Sequence, residues 1–206
     1  MASRVPVRSD DCVRVGIDGV DGAGKTVFAD DLADVLRSTG RTVIRVGADD
    51  FLHPRAVRYC RGRHSAEGFW IDSYDYDALR RRVLDPLGPG GSRRYQGASL
   101  DLRTDEPSDP PVLTAAPGSV LVLDGLFLHR DELAGVWDLS VFLQVPFEVS
   151  VARLAARDGS HPDPTHPSLA RYVEGQRLNL GTQPWHRAQV VVDATDLDDP
   201  AIATHR

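Results

Sequence analysis

Short apolar runs alternate with amphipathic stretches along most of this chain. Val13-Arg14-Val15-Gly16-Ile17-Asp18 is β-rich and runs straight into a glycine-rich loop. Residues 26–37 carry Phe28, Leu32, Val35 and Leu36 at i, i+4, i+7 and i+8, the stripe of an amphipathic helix, and Gly40 ends it. Residues 42–46 predict a second strand. Residues 74–87 predict a helix with Leu79, Val83 and Leu87 on one face and Pro86 near its end. Residues 119–125 form a continuous apolar run that closes on Asp124-Gly125, the pattern of a strand buried on both faces. Residues 139–145 and 189–193 predict two further strands, separated by helices over 146–157 and 168–180. Strands alternating with helices imply an α/β fold with a parallel, doubly wound sheet. Such sheets gather ligands at the C-terminal ends of their strands. Asp18, Asp49 and Asp124 all fall at strand ends.

The length of 206 residues suits one domain over 1–206. Residues 1–11 are polar, lack an apolar signal core and predict a short flexible tail. Residues 88–112 are rich in glycine and proline around a short hairpin candidate and predict a surface excursion. Residues 157–168, with two histidines among prolines and glycine, predict a mobile loop. No apolar run is long enough to span a bilayer. The net charge of −6 argues against a nucleic-acid or membrane-surface partner. Cys12 and Cys60 are too few for a disulfide framework or a zinc site, and predict reduced thiols in a cytoplasmic protein.

One residue type changes this picture. Lysine and arginine together number 24, and Lys25 is the only lysine. It lies in Gly19-Val20-Asp21-Gly22-Ala23-Gly24-Lys25-Thr26, which fits G-x-x-x-x-G-K-[ST], the phosphate-binding loop of P-loop NTPases. An ammonium is a compact point charge that fits inside a phosphate cradle, where a planar guanidinium does not. With a strand before it and a helix after it, the loop predicts a site for ATP with Mg²⁺. Gly19, Asp21, Gly22, Ala23, Gly24, Lys25, Thr26 and Val27 are the candidate nucleotide-binding residues. The backbone N–H groups and the helix N-terminus would face the phosphates, and the Thr26 hydroxyl would ligate the metal.

Candidate chemistry follows from position. Asp124, ending an apolar strand, occupies the place of a metal-holding Walker B carboxylate. Asp49 and Asp50 follow the second strand. A carboxylate there can orient a hydroxyl nucleophile and accept its proton late in phosphoryl transfer, and Asp49 is the stronger candidate, with a share in metal binding. Arg153 and Arg157, at i and i+4, share a helix face at the entry to the 157–168 loop and could close over a γ-phosphate. Tyr95, Trp70 and Trp185 are candidates to stack on a base. His161 and His166 lack the spacing of a metal site.

Together, the glycine loop, Asp49-Asp50-Phe51, Tyr74-Asp75-Tyr76-Asp77 and Leu123-Asp124-Gly125-Leu126 make the chain resemble the uridine kinase-like family of P-loop kinases. The resemblance implies a three-layer α/β/α sandwich around a five-stranded parallel sheet, with a small β-hairpin that helps cover the acceptor. It implies ATP-dependent phosphorylation of a small-molecule hydroxyl, with Asp49 as general base and Arg153 and Arg157 at the lid entry. A pyrimidine nucleoside is the acceptor it suggests first. Nicotinamide riboside, pantothenate, sugar phosphates and thymidylate are the other acceptors, and a non-catalytic nucleotide-binding regulator is the alternative outside enzymes. The family allows homo-oligomers. The family's aspartate-histidine-proline stretch that holds the ribose is replaced by Phe69-Trp70-Ile71-Asp72, which makes Asp72 or Glu67 the candidate for that role. The family's glycine loop is usually longer, and its hairpin histidine has no counterpart here.

Overall fold

The computed structural model describes residues 1–205. Strand β1 (Val13–Gly19) leads through the glycine loop into helix α1 (Lys25–Ser38), and β2 (Val43–Gly47) closes the first β-loop-α-β unit. Helix α2 (Ala66–Ile71) follows, then β3 (Val120–Asp124), β4 (Leu139–Gln144), α3 (Phe147–Asp158), α4 (Ala170–Gly181), β5 (Val190–Asp193) and β6 (Ala201–His205). The sheet order is β6-β5-β4-β1-β3-β2. Its first five strands in sequence are mutually parallel, as the βαβ pattern requires. The sixth is a difference from expectation: β6 runs antiparallel against β5 at the edge. Its sequence, Ala-Ile-Ala-Thr-His, is short and weakly apolar, so only pairing with β5 makes it a strand.

Both faces of the sheet are buried. Leu121 and Leu123 join a cluster with Ile44, Val46, Phe51, Tyr74, Leu79 and Val83. Val120 and Val122, one residue out of phase, join Val13, Val15, Ile17, Leu32, Leu36 and Val141 on the other face. That alternation explains why the β3 run is apolar throughout, each such side chain contributing about 1.5–3 kcal/mol. Helix α1 lies on the second face through Leu32 and Leu36. Helix α4 carries a different surface, with Arg171, Gln176 and Asn179 buried. Arg171 donates to the carbonyls of Arg58, Gly62 and Ser65 and so fastens the 58–65 segment to α4.

Three stretches refine the expectations. Residues 1–11 are held against the body: Val5 is buried, Arg41 donates to the Val5 and Pro6 carbonyls, and Arg8 pairs with Asp138 at 2.6 Å. The helix expected over 74–87 is shorter, an α-turn at Tyr76–Leu79 that widens into a π-turn at Arg80–Leu84, although Leu79, Val83 and Leu87 are buried as the stripe predicts. Residues 88–112 fold as two small ladders, Arg94–Tyr95 against Leu113–Thr114 and Leu100–Asp101 against Glu106–Pro107. The Ser99 N–H donates to the Asp50 carbonyl and ties this excursion to the end of β2.

Gly125 shows how tightly the strand ends are joined. A Cβ on it would lie 2.2 Å from the Ala48 Cβ, inside the turn that carries Asp49. Gly125→Ala should destabilise the protein by about 1–3 kcal/mol, read as a lower midpoint in urea unfolding.

Candidate active site

Strand register sets the site. Ile17 of β1 and Gly47 of β2 both pair with Asp124 of β3, so three strands end at one level. Asp18, almost fully buried, ties this level together. Its Oδ1 accepts from the Gly19 and Phe127 N–H groups, and its Oδ2 accepts from the His129 N–H and His129 Nδ1, at 2.7–3.0 Å. A carboxylate facing Nδ1 fixes that nitrogen as the proton-bearing one. One side chain thus fastens the start of the glycine loop to the segment that follows Asp124.

The loop then turns through Gly22 (φ 73°) and Gly24 (φ 88°), a region that L side chains avoid. A Cβ at Gly22 would also sit 2.2 Å from the Ser150 carbonyl of α3. Gly24 is the N-cap of α1 and offers no side-chain cap. The first N–H groups of a 14-residue helix therefore face the loop with its positive end, an anion site by construction. Lys25 Nζ donates to the Val20 carbonyl at 2.9 Å and lies across the loop. Asp21 is held from behind, its N–H donating to Gln176 Oε1 at 2.6 Å. Burial pushes the Asp21 carboxyl up, with Lys25 pulling the other way.

A cleft of about 420 Å³ opens above the strand ends. Asp21, Gly22, Gly24, Lys25, Thr26 and Val27 line one side of it, Arg45 and Asp49 another, with Asp124 in its floor and Arg157 at its margin. Thr26 Oγ1 donates to Asp124 Oδ2 at 2.8 Å. Asp49 is exposed to the cleft, and its Oδ1 accepts from the Tyr74 hydroxyl at 2.8 Å. Tyr74 is buried, and that burial, with the Asp49 charge beside it, pushes its hydroxyl well above the ordinary tyrosine value. Asp50 is also pushed up, by partial burial and by the charges of Asp49 and Asp124.

The glycine loop, Lys25, Thr26, Asp49, Asp124 and Arg157 therefore converge as expected from their positions. Three expected residues do not. Arg153 donates to the Ala194 and Thr195 carbonyls and braces the turn whose Leu197 lies over Gly24, so it faces away from the cleft. The i, i+4 spacing gave a shared helix face, but Arg153 reaches the neighbouring turn while Arg157 reaches the cleft. Asp72 accepts from Arg61 Nε at 2.8 Å on the outside of α2 and does not line the cleft. Tyr95 packs against the core beneath the hairpin and is likewise absent from the cleft wall. Tyr74, which holds Asp49, was not singled out from the sequence although the Tyr74-Asp75-Tyr76-Asp77 string contains it; Asp75 next to it caps the Ala78 N–H and lies 3.9 Å from His53 Nδ1. Arg45 was missed as well, although an arginine between Ile44 and Val46 in an apolar strand calls for a partner.

Known proteins agree with this geometry. A uridine kinase of Shewanella halifaxensis is 28% identical over 183 residues, covering 83% of this chain and 81% of that protein. The structure of a possible uridine kinase from Bacillus stearothermophilus superposes with a TM-score of 0.68 at 24% identity, covering 90% of each chain. The phosphoribulokinase of Rhodobacter sphaeroides superposes with a TM-score of 0.63 at 16% identity, over 90% of this chain and 70% of that one. No protein-family model matches. In sequence and in fold the chain is thus similar to the uridine kinase-like P-loop kinases. The kinase relatives support a phosphotransferase with an alcohol acceptor. P-loop kinases use ATP and a divalent metal. The donor set fits such a metal: a threonine hydroxyl and a buried carboxylate, all hard oxygen, sit 2.8 Å apart beside the phosphate loop. Among the described residues no helix is long and apolar enough to cross a membrane, and Cys12 and Cys60 are free thiols.

Two measurements probe this uridine kinase-like site without any substrate. Asp18→Asn places an amide N–H₂ or a single oxygen against donors that now share two, and should cost about 2–3 kcal/mol in denaturant unfolding. Asp50→Asn removes a carboxylate whose folded value is raised, a group that lowers stability once pH exceeds its ordinary range. The variant should melt higher than wild type at neutral pH, by no more than ~1 kcal/mol because Asp50 is exposed. That gain should fade as pH drops through the ordinary aspartate range and vanish below about pH 3, where wild-type Asp50 is protonated in both states.

Proposed function

We propose that this chain transfers the γ-phosphoryl group of ATP to the 5′-hydroxyl of a pyrimidine nucleoside, uridine or cytidine. One observation carries the proposal: Asp49, fixed by the Tyr74 hydroxyl at 2.8 Å, opens on the same cleft as Lys25 and the glycine loop. Tyr74 occupies Oδ1, which leaves Oδ2 to accept a hydrogen bond from the acceptor alcohol. An alcohol is too weak an acid to be deprotonated in advance, so Asp49 orients it and takes the proton late in the transfer. The raised value of Tyr74 keeps its hydroxyl a donor throughout the pH range of such a reaction.

The remaining residues bind and stabilise. Lys25 and the N–H groups at the start of α1 hold the phosphates in place. Thr26 and Asp124 would hold Mg²⁺, which when bound neutralises the β- and γ-phosphate oxygens and aligns them. Arg157, exposed at the cleft margin, would meet the charge that spreads over the transferred group. The 88–112 excursion, tied to Asp50, would roof the acceptor, and residues 157–168 would act as the lid. The nucleoside itself is supported by the relatives named uridine kinase. On this reading the protein is a cytoplasmic enzyme of small molecules that needs no nucleic-acid or membrane partner.

The test is ADP release from ATP·Mg²⁺ against single acceptors: uridine, cytidine, nicotinamide riboside, pantothenate, ribulose 5-phosphate and thymidylate. Turnover is expected with uridine or cytidine, and Asp49→Asn should lower kcat by about 10²–10⁴-fold while ATP still binds. Turnover confined to another acceptor would replace the substrate and keep the mechanism. Tight ATP binding with no acceptor-dependent turnover would overturn the kinase reading in favour of a nucleotide-binding regulator.

A further inference from the structure

Arg45 holds the carboxylate in the cleft floor. Its side chain rises from β2 at the sheet edge and makes three directed contacts. Nε donates to Asp30 of α1 at 2.9 Å, Nη1 to the Val122 carbonyl at 2.8 Å, and Nη2 to Asp124 Oδ1 at 2.9 Å. The other oxygen of Asp124 is taken by Thr26. Both oxygens of the carboxylate therefore have a partner, and one partner is a fixed positive charge. The side chain is 19% exposed and anchored on a strand and a helix, which makes it part of the cleft wall.

We infer that Arg45 is a resident counter-cation of Asp124 that makes divalent-metal binding at this site depend on the nucleotide. The inference rests on the phosphotransferase reading of the cleft. A free dication approaching Asp124 meets a guanidinium already on Oδ1 and is repelled by its charge. Polyphosphate in the glycine loop adds negative oxygens that outweigh the single charge of Arg45. Metal then enters as part of the metal–nucleotide complex. By linkage, the metal tightens nucleotide binding by the same factor that nucleotide tightens metal binding. The planar fork explains the residue type: it satisfies three partners in one plane, which an ammonium cannot do.

Mn²⁺ titration followed by electron paramagnetic resonance on nucleotide-free protein tests this directly. Wild type should bind Mn²⁺ weakly, and ADP should tighten it. Arg45→Met and Arg45→Gln should bind free Mn²⁺ roughly tenfold more tightly, the scale of one partly screened charge interaction, and show a correspondingly smaller response to ADP. Arg45→Lys keeps the charge and should stay near wild type, and circular dichroism identifies the variants that fold. If folded Arg45→Gln or Arg45→Met binds free Mn²⁺ no more tightly than wild type while ADP still tightens the wild-type site, the inference is overturned and the site stands. If ADP does not tighten Mn²⁺ in wild type, it is the nucleotide reading of the cleft that fails.

Discussion

Asp18 accepts four hydrogen bonds at the end of the central strand, from the N–H groups of Gly19, Phe127 and His129 and from the His129 ring. Everything in the cleft is placed relative to that carboxylate. It fixes where the glycine loop leaves β1, and it fixes the segment that leaves β3 just after Asp124. Because β1 lies between β3 and β4, the loop emerges from the middle of the sheet rather than from an edge. The parallel register then sets Gly47 and Ile17 level with Asp124, and the turn after β2 carries Asp49 to the same rim. The glycine loop, Asp124 and Asp49 thus come from three strands yet open on one cleft.

The charge balance of that cleft is local. The chain is net negative, so no global field draws a polyphosphate in. Lys25, Arg45 and Arg157 face it against Asp21, Asp49 and Asp124, and the oriented N–H groups at the start of α1 add positive potential without adding charge. Each carboxylate has a distinct restraint. Asp21 is half-buried and held at its N–H by Gln176, Asp49 is held by Tyr74, and Asp124 is shared by Thr26 and Arg45. Fixed dipoles and charges of this kind stabilise a transition state better than mobile ones, because they need no reorganisation when charge moves.

The parts legible in the sequence are those whose signal is local. The glycine loop, the strand before it and the helix after it occupy one contiguous stretch, and the β3 run ends visibly on Asp124. Asp49 could be singled out because it directly follows a strand. What the sequence left hidden depends on partners distant along the chain. Arg153 and Arg157 look alike on a helix face, and only the position of the 194–199 turn separates them. Asp72 turns to Arg61, and the pairing of Leu52 with Tyr74 is what sets the tyrosine against Asp49. Nothing in the sequence around Tyr95 signals that the hairpin folds it against the core. Strand β6 exists because β5 offers an edge, a property of the sheet and not of Ala-Ile-Ala-Thr-His.

The central claim is that Asp49 presents a nucleoside hydroxyl to a phosphoryl group held by the glycine loop. Phosphorus-31 NMR of the protein with ATP, Mg²⁺ and uridine follows the transferred group itself. The account predicts a growing phosphomonoester resonance, split by the two 5′-methylene protons, while the γ-phosphate signal declines in step. Growth of inorganic phosphate alone, or an unchanged ATP spectrum in the presence of tightly bound nucleotide, would contradict it.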